Sequence, residues 1–248
     1  MLRVAVVTGA SSGIGREFVR LLVKEQEVDV VYAVARREER LIALKEELGE
    51  KVRPVVMDVL NGNPLSFLQV GEQLTWAVHS AGVGYSGACE KLTVKQQTDT
   101  VDLNCKAAVS FLTAATEKMQ SGGKIVCIAS AAAFTPQPYF AAYAASKSFV
   151  LSFCRALSVE VKRKGVSVTA VCPGPVNTEF FLTSSKDGKV AKNKEKYMVT
   201  PESVASKGLK AAKKGKQVCV PSGSMKLGFL ASKILPHSLL MRVYKEDK

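Results

Sequence analysis

The stretch "VAVVTGASSGIGRE", residues 4–17, decides the fold class of this 248-residue chain. An apolar run typical of a buried strand is followed by three glycines spaced G-x-x-x-G-x-G, where a helical pattern begins. Glycine lets a backbone turn tightly and approach a diphosphate, whose charge is favoured by the free amide groups and dipole at a helix start. Strand, glycine turn and helix in this order predict a dinucleotide site, with a plain strand-to-helix turn as the alternative.

Beyond this loop, apolar runs typical of strands alternate with helical segments. The predicted strands are Val4–Val7, Val28–Val34, Val52–Met57, Trp76–His79, Lys124–Ala129, Val166–Val171 and Val218–Val220. The predicted helices are Gly15–Glu25, Glu38–Leu48, Asp99–Met119, Ala141–Lys164 and Pro201–Lys213, with a stunted one in Asn61–Leu74. Alternation of this kind predicts an α/β fold, a doubly wound parallel sheet with helices on both faces. Since no repeat or linker interrupts it, we expect one domain over residues 1–248.

Composition narrows the classes of protein and partner. The chain has 35 Lys and Arg against 22 Asp and Glu, a net charge of +13 that favours anionic partners of some kind. Six cysteines without a C-x-x-C pair suggest reduced thiols, and two histidines, His79 and His237, argue against a His-based metal site. The N-terminal apolar run is too short for a signal peptide, and no apolar stretch reaches transmembrane length. We therefore expect a cytoplasmic protein without a metal.

The end of the second predicted strand indicates which dinucleotide binds. An acidic residue there would bind the ribose hydroxyls of NAD, but the chain has Ala35 followed by Arg36 and Arg37. Guanidinium groups suit a 2′-phosphate, which favours NADP(H), unless both arginines are solvated residues of the next helical turn. Asp58 ends the third strand, where it could bind the adenine amino group or cap a helix. The glycine-loop residues expected to contact the cofactor are Gly9, Ser11, Ser12, Gly13, Ile14 and Gly15.

One further cluster carries chemistry. Tyr143 and Lys147 are four residues apart, so they share a helix face, and Ser130 lies upstream of them. These residues complete a set of motifs by which the chain resembles the compact, one-domain short-chain dehydrogenases/reductases from residue 4 to about 181. The motifs are "TGASSGIG" (8–15), Asp58, "HSAG" (79–82), Asn104, Ser130, "YAASK" (143–147) and "PGPVNT" (173–178). The resemblance implies a Rossmann-type fold of about seven parallel strands.

The resemblance also implies a catalytic tetrad of Asn104, Ser130, Tyr143 and Lys147. Tyr143 would act as the general acid or base, and Lys147 would lower its pKa and bind the nicotinamide ribose. Ser130 would hydrogen-bond the substrate oxygen, and Asn104 would hold a water that links Lys147 to solvent. Further cofactor contacts implied by the family are Val59, Ala81, Gly82, Pro173, Gly174, Val176 and Thr178.

The chain departs from the family at "HSAG", where "NNAG" is usual. The polar contact that an Asn side chain of the usual motif makes would then come from Ser80 or His79. Phe180 and Phe181 are expected over the substrate, on a lid at about residues 175–200, and suggest a lipophilic substrate. The lysine-rich segment 183–216 is either a solvated face or a binding site for an anionic tail.

These features predict an NADP(H)-dependent oxidoreductase that interconverts a ketone and a secondary alcohol, possibly on a hydroxysteroid. The alternatives are a 3-oxoacyl reductase, a broad-range carbonyl reductase, and an NADP(H)-binding sensor without turnover. Nucleic-acid binding is not expected, because no recognised motif or interleaved aromatic residues accompany the positive charge.

Two helical surfaces bear on assembly. The helix predicted over 141–164 carries Ala142, Ala145, Phe149 and Phe153 at helical spacing, and the resemblance implies a homodimer or homotetramer. In the apolar C-terminal tail, residues 225–244, Leu227, Leu230, Ile234 and Leu235 can form one stripe, with lysines beside it. We expect this stripe to pack within the chain or on another subunit, and peripheral membrane contact is the less favoured alternative.

Overall fold

The computed structural model describes residues 1–180 and 198–241, and these residues form a parallel sheet between two layers of helices. The strands are β1 Leu2–Thr8, β2 Val30–Ala35, β3 Val52–Val56, β4 Glu72–His79, β5 Lys124–Ile128, β6 Ser167–Val171 and β7 Val218–Cys219. Their order across the sheet is β3-β2-β1-β4-β5-β6-β7, and every neighbouring pair is parallel. The predicted α/β fold and its seven-stranded sheet are confirmed.

The helices agree with the sequence pattern except where a backbone irregularity intervenes. They are α1 Gly13–Leu22, α2 Glu38–Leu48, α3 Val94–Val101, α4 Ala107–Lys118, α5 Ala141–Glu160, α6 Pro201–Lys213, α7 Gly223–Ile234 and α8 His237–Met241. The helix predicted over 99–119 is wrong in its bounds, because a π-helical turn at Asp102–Lys106 separates α3 from α4. The stunted helix predicted in 61–74 is also wrong, because residues 59–71 form turns.

The core lies on both faces of the sheet, as continuous apolar strands require. Successive side chains of a strand point to opposite faces, so Val4 and Val6 pack with Phe111 on one side. Val7 packs on the other side with Phe18 and the rest of that cluster. Each such side chain stabilises the fold by about 1.5–3 kcal/mol through burial. The six cysteines are free thiols: Cys89 is exposed, Cys105 is half-buried, and the four others are buried in this core.

The strand order positions the functional residues. The chain runs outward from β1 to β3 and returns to place β4 on the other side of β1. Ligands of open α/β sheets bind at such a reversal, beyond the carboxyl ends of the strands. The loops after β1, β4, β5 and β6 meet there.

The C-terminal tail contacts the body through a face other than the predicted one. Phe229 on α7 lies against Phe134, with ring centroids 4.7 Å apart. Leu227, Leu230 and Ile234 point away and are 71%, 54% and 79% exposed. The expectation that this stripe packs on the chain itself is therefore wrong, since α7 has a second apolar face with a larger aromatic anchor. No helix within residues 1–180 and 198–241 is long and apolar enough to cross a membrane.

Candidate active site

A cavity of about 880 Å³ lies at the carboxyl ends of the central strands. Nearly all of the predicted site residues line it, although they come from seven separate segments of the chain. These residues are Gly9, Ser11, Ser12, Gly13, Ile14, Arg36, Arg37, Asp58, Val59, Ala81, Gly82, Ser130, Tyr143, Lys147, Pro173, Gly174, Val176, Thr178 and Phe180. Gly15 and Asn104 lie behind the wall, and Phe181 is outside the described residues.

The glycine loop is shaped by close backbone approach. Gly9 has φ +68°, and a Cβ there would lie 2.7 Å from the amide nitrogen of Ala81 in the loop after β4. A Cβ on Gly15 would lie 2.3 Å from the carbonyl oxygen of Gly9, so Gly15 serves the packing of α1 on the loop. Ser12 immediately precedes α1 and makes no side-chain cap hydrogen bond. The first amide groups of α1 are therefore left without a side-chain cap at the cavity.

Arg37 closes one end of the glycine loop. Its guanidinium donates to Ser11 Oγ from Nε at 3.1 Å and from Nη2 at 2.9 Å, and to Ser12 Oγ at 2.9 Å. Its Nη1 donates to Glu179 Oε2 at 2.9 Å, and Arg40 pairs with the other oxygen of the same carboxylate. Hydrogen bonds from Arg40 and Arg37 lower the pKa of Glu179. Glu179, which is not among the predicted site residues, therefore holds both arginines at the cavity rim.

Arg36 and Asp58 lie side by side nearby. The Arg36 side chain is 72% exposed, and its Nη1 lies 3.7 Å from Asp58 Oδ2. Asp58 Oδ1 accepts a hydrogen bond from the Leu60 amide at 3.1 Å. The alternative of a helix cap at Asp58 is wrong, since a turn follows rather than a helix. Oδ1 of Asp58 thus stabilises the turn at Leu60, and Asp58 also lines the cavity.

Ser130, Tyr143 and Lys147 converge from two elements. Ser130 follows β5, and its Oγ accepts a hydrogen bond from the Ala132 amide at 3.1 Å. Tyr143 and Lys147 lie one turn apart on α5, with the Lys147 ammonium 5.7 Å from the Tyr143 ring centroid. Lys147 Nζ donates to the carbonyl oxygen of Ile128, at the end of β5, at 2.9 Å. The three groups meet at the cavity wall, as the four-residue spacing predicts for Tyr143 and Lys147 and as the family resemblance implies for Ser130.

Burial dominates the electrostatics of this cluster. It raises the pKa of Tyr143 to about 12, although a hydrogen bond with Ser130 acts in the opposite direction. Burial also lowers the pKa of Lys147. The expected lowering of the Tyr143 pKa by Lys147 is not found in this structure, where the ammonium is directed at the Ile128 carbonyl. Tyr143 is therefore a neutral phenol at pH 7, the form that can donate a proton.

Asn104 braces the site from behind the cavity. Its side chain makes two hydrogen bonds with the Val83 backbone, at 2.8 Å to the carbonyl and 2.9 Å from the amide. Its Nδ2 also donates to Ser146 Oγ at 2.9 Å. Ser146 Oγ in turn donates to the backbone carbonyl of Tyr143 at 2.7 Å. Asn104 thus ties the segment after β4 to the catalytic helix α5, and the π-helical turn places it there.

Several contacts around Tyr143 were not expected from the sequence. The Tyr143 ring stacks on Phe140, with centroids 4.3 Å apart, and contacts Phe180 at 5.3 Å. A Cβ on Gly84 would lie 2.5 Å from Tyr143 Cδ2, so only glycine leaves room for the ring. Met225 of α7 closes the far side against Gly174, whose Cβ would lie 2.8 Å from Met225 Cγ. Gly84 lies two residues after the "HSAG" motif, and this proximity was the one available signal.

His79 replaces the tie that an Asn side chain usually makes. Its Nδ1 lies 3.0 Å from Thr8 Oγ1, which also accepts hydrogen bonds from the amides of Ser80 and Ala81. Within the described residues, His79 Nε2 is buried without a hydrogen-bond partner. Burial first, and then the charge of Lys147, lower the pKa of His79 to about 3. A neutral His79 therefore links β1 to β4, and the Ser80 side chain is not needed for this link.

The arrangement fits a dinucleotide. The glycine turn lies against the loop after β4 with no room for a side chain, and the first amides of α1 have no side-chain cap. Arg36, Arg37 and Asp58 lie at one end of the cavity, whereas Tyr143 and Lys147 lie at the other. The cavity volume is in the range of cofactor and drug-sized sites.

Comparisons with known proteins agree with this geometry. A family model described as short chain dehydrogenase matches residues 3–189. A 3beta-hydroxysteroid dehydrogenase of Mediterraneibacter gnavus is 35% identical over 197 residues, 75% of this chain and 71% of that protein. A variant of actinorhodin polyketide ketoreductase, solved with NADPH, has a TM-score of 0.75 and 27% identity, covering 90% of this chain and 97% of its own. A Burkholderia phymatum structure in complex with NAD shares the fold, at TM-score 0.79 and 19% identity, covering 100% and 97%.

Proposed function

The chain belongs to the short-chain dehydrogenase family, and from this premise we propose that it is an NADP(H)-dependent oxidoreductase of ketones and secondary alcohols, acting on a lipophilic substrate such as a hydroxysteroid. The observation that carries the proposal is the position of Tyr143, which lines the same cavity as the glycine loop, with Ser130 and Lys147 beside it. A sensor without turnover would not need this proton donor.

The chain's own residues divide the work of reduction. The glycine loop would hold a nicotinamide cofactor, which would supply the hydride when bound. The Ser130 hydroxyl holds the substrate carbonyl oxygen in position, and Tyr143 donates its phenolic proton to that oxygen as the alcohol forms. Phe140 and Phe180 flank the Tyr143 ring and limit the access of water. The family resemblance assigns to Lys147 the stabilisation of the phenolate left behind, for which its ammonium would have to leave the Ile128 carbonyl.

The rim of the cavity supports NADP(H) over NAD. The last residue of β2 is Ala35, so no carboxylate is available there for ribose hydroxyls. Arg36 is exposed beside the cavity, and Arg37 reaches the two serines of the glycine loop. Guanidinium forks at this place match a 2′-phosphate. The arginines therefore argue for the phosphorylated cofactor, and a tighter NADH complex would refute this assignment.

The substrate end of the cavity is apolar. Phe134, Phe140 and Phe180 line it together with Met225 and Leu240. Such a lining favours a carbonyl on a hydrocarbon framework, and the hydroxysteroid relative gives the first substrate class to test. A 3-oxoacyl or broad-range carbonyl reductase is the second candidate, favoured by the similarity to the polyketide ketoreductase.

A substrate screen tests the proposal directly. Purified protein is titrated with NADPH and NADH by calorimetry and then assayed with NADPH against 3-ketosteroids, 3-oxoacyl thioesters and small ketones. We expect tighter NADPH binding and turnover of the steroid panel. NADPH binding without turnover of any ketone, and without oxidation of the matching alcohols with NADP⁺, would favour the sensor and overturn the enzymatic assignment. Turnover of thioesters alone would replace the substrate class.

A further inference from the structure

Helix α7 has two apolar faces with different surroundings. On its inner face Phe229 packs on Phe134, while Met225, Gly228 and Ala231 line the cavity. On its outer face Leu227, Leu230 and Ile234 recur at helical spacing and are all more than half exposed. We use the term α7 surface for the outer apolar residues with their flanking lysines. Its members are Lys226, Leu227, Leu230, Lys233, Ile234, Leu235 and Leu239.

The exposed aliphatic side chains of the α7 surface indicate a site of association. Single exposed leucines are ordinary, but the α7 surface groups five large aliphatic side chains within 13 residues, each at least 40% exposed. Contiguous apolar patches on a folded protein mark sites of association. We propose that the α7 surface docks on an anionic lipid bilayer, with its leucines at the boundary between headgroups and acyl chains.

Charge decides between a bilayer and a second copy of this chain. Residues 223–241 contain two lysines and no Asp or Glu. A two-fold pairing of the α7 surface would bring these lysines against their own copies without a carboxylate from this segment to neutralise them. Anionic headgroups provide that complement, and the net charge of +13 acts in the same direction.

Length decides how the helix docks. The 12 residues of α7 extend about 18 Å, too short to span a bilayer but long enough to lie in its surface. Pro236 follows Leu235 and separates α7 from α8, so the apolar length stays limited. The contact is therefore weak and reversible, and it depends on the headgroup charge.

The inner face of α7 connects docking with the cavity. Since one helix forms both the cavity wall and the α7 surface, the lipid boundary lies about 10 Å, one helix diameter, from the cavity. This part of the inference rests on the proposed function, because it gives a lipophilic ketone a short path from the bilayer.

Vesicle co-sedimentation tests the docking. Full-length protein is mixed with phosphatidylcholine vesicles or with vesicles containing 30% phosphatidylglycerol, at low and high salt. We expect sedimentation with the anionic vesicles only, weakened at high salt. The variant L227Q/L230Q/I234Q should bind at least tenfold more weakly, and the variant K226Q/K233Q several-fold more weakly. The control V70Q/V94Q, which alters exposed valines on other segments, should bind like the unaltered chain.

Each remaining outcome is decisive. Equal binding by L227Q/L230Q/I234Q, or no sedimentation of the unaltered chain, overturns the proposal. A change from dimer to monomer in that variant by light scattering, with no vesicle binding by the unaltered chain, assigns the α7 surface to a second copy. An unchanged melting temperature shows that the variant remains folded. Because vesicle binding needs neither cofactor nor turnover, failure of the proposed function leaves this result intact, and the reverse also holds.

Discussion

Glu179 and Arg37 are joined by a hydrogen bond of 2.9 Å between Oε2 and Nη1, which ties the segment after β6 to the turn after β2. The same guanidinium holds Ser11 and Ser12 of the glycine loop. Phe180, the next residue, contacts the Tyr143 ring. Glu179 thus binds an arginine at the cofactor end of the cavity, and the adjacent Phe180 contacts the aromatic residue Tyr143 at the substrate end.

Removing the charge of Glu179 should strengthen NADPH binding. Its carboxylate engages Arg37 and Arg40, which a 2′-phosphate would otherwise use. For a half-exposed ion pair we expect E179Q to tighten NADPH binding about twofold to fivefold, with less effect on NADH. Calorimetric titration of both cofactors measures this. E47Q, which removes the Glu47 partner of Arg20 elsewhere, is the matched control. Weaker NADPH binding in E179Q would show that holding Arg37 and Arg40 in place matters more for the cofactor than the competition of the Glu179 charge with the 2′-phosphate.

Tyr143→Phe should slow turnover strongly without disturbing cofactor binding. Only one hydroxyl is removed, and the ring contacts with Phe140 and Phe180 remain. General acid catalysis contributes about 10²–10⁴ in rate, so kcat should fall by that factor while the Kd for NADPH changes little. In the unaltered chain, a pKa of about 12 keeps the phenol protonated, so reduction should not lose its proton donor between pH 7 and 10. Near-normal kcat in the Phe variant would remove Tyr143 from the mechanism.

Gly84→Ala should lower kcat through the position of Tyr143. The added methyl group would lie 2.5 Å from Cδ2 of the Tyr143 ring and 3.1 Å from Phe140, so the ring must move. A misplacement of this size can cost about 100-fold in rate. NADPH affinity should change little, because Gly84 is outside the glycine loop. Gly223→Ala, where no atom of the described residues lies within 4 Å of the added methyl group, serves as control. An unchanged kcat in G84A would mean that the segment around Gly84 moves to make room for the methyl group and that the Tyr143 ring stays in place.

Acid should destabilise the fold through His79. Between its folded pKa of about 3 and its ordinary value of 6.5, the unfolded chain binds a proton that the folded chain excludes. Stability from His79 is therefore fully present above pH 6.5 and is lost as pH falls, by at most about 1.4 kcal/mol per pH unit. From pH 6.5 to 5 this amounts to about 2 kcal/mol. Urea unfolding across this range measures it, and H79N should show a smaller dependence. Equal slopes in the two proteins would contradict the assignment.

Much of the site could be predicted because its chemistry is local in sequence. The glycine spacing determines where the chain can approach a diphosphate. Tyr143 and Lys147 are four positions apart on a helix, so they lie on one face. The strand ends then bring Ser130 to them, because all strands of a parallel sheet end at one edge. The roles of these residues remain predictions until the experiments above are done.

The contacts that escaped prediction depend on distant segments. Glu179 reaches arginines about 140 positions earlier in the chain, and Gly84 matters only because the Tyr143 ring fills the space beside it. The Tyr143 pKa was misjudged since spacing shows the neighbouring Lys147 but not the desolvation of both groups. Packing of the stripe within the chain was predicted wrongly because α7 is apolar on two faces, and periodicity alone does not say which one packs inward. Packing of the stripe on another subunit stays a prediction. The expected subunit pairing through α5, where the exposed Phe149 stacks on Phe153 with ring centroids 6.1 Å apart, stays a prediction.

The positions of the cysteines allow local unfolding of the core to be measured by thiol labelling. Cys127, Cys154 and Cys172 are at most 1% exposed and lie in β5, in α5 and directly after β6, whereas Cys89 is exposed on a short 3-10 turn. A thiol reagent should therefore label Cys89 at once. It should reach the three core sulfurs only as fast as the sheet parts from its helices. The slow phase of labelling, followed by mass spectrometry, then gives the rate at which β5, β6 and α5 separate, and no added probe is needed.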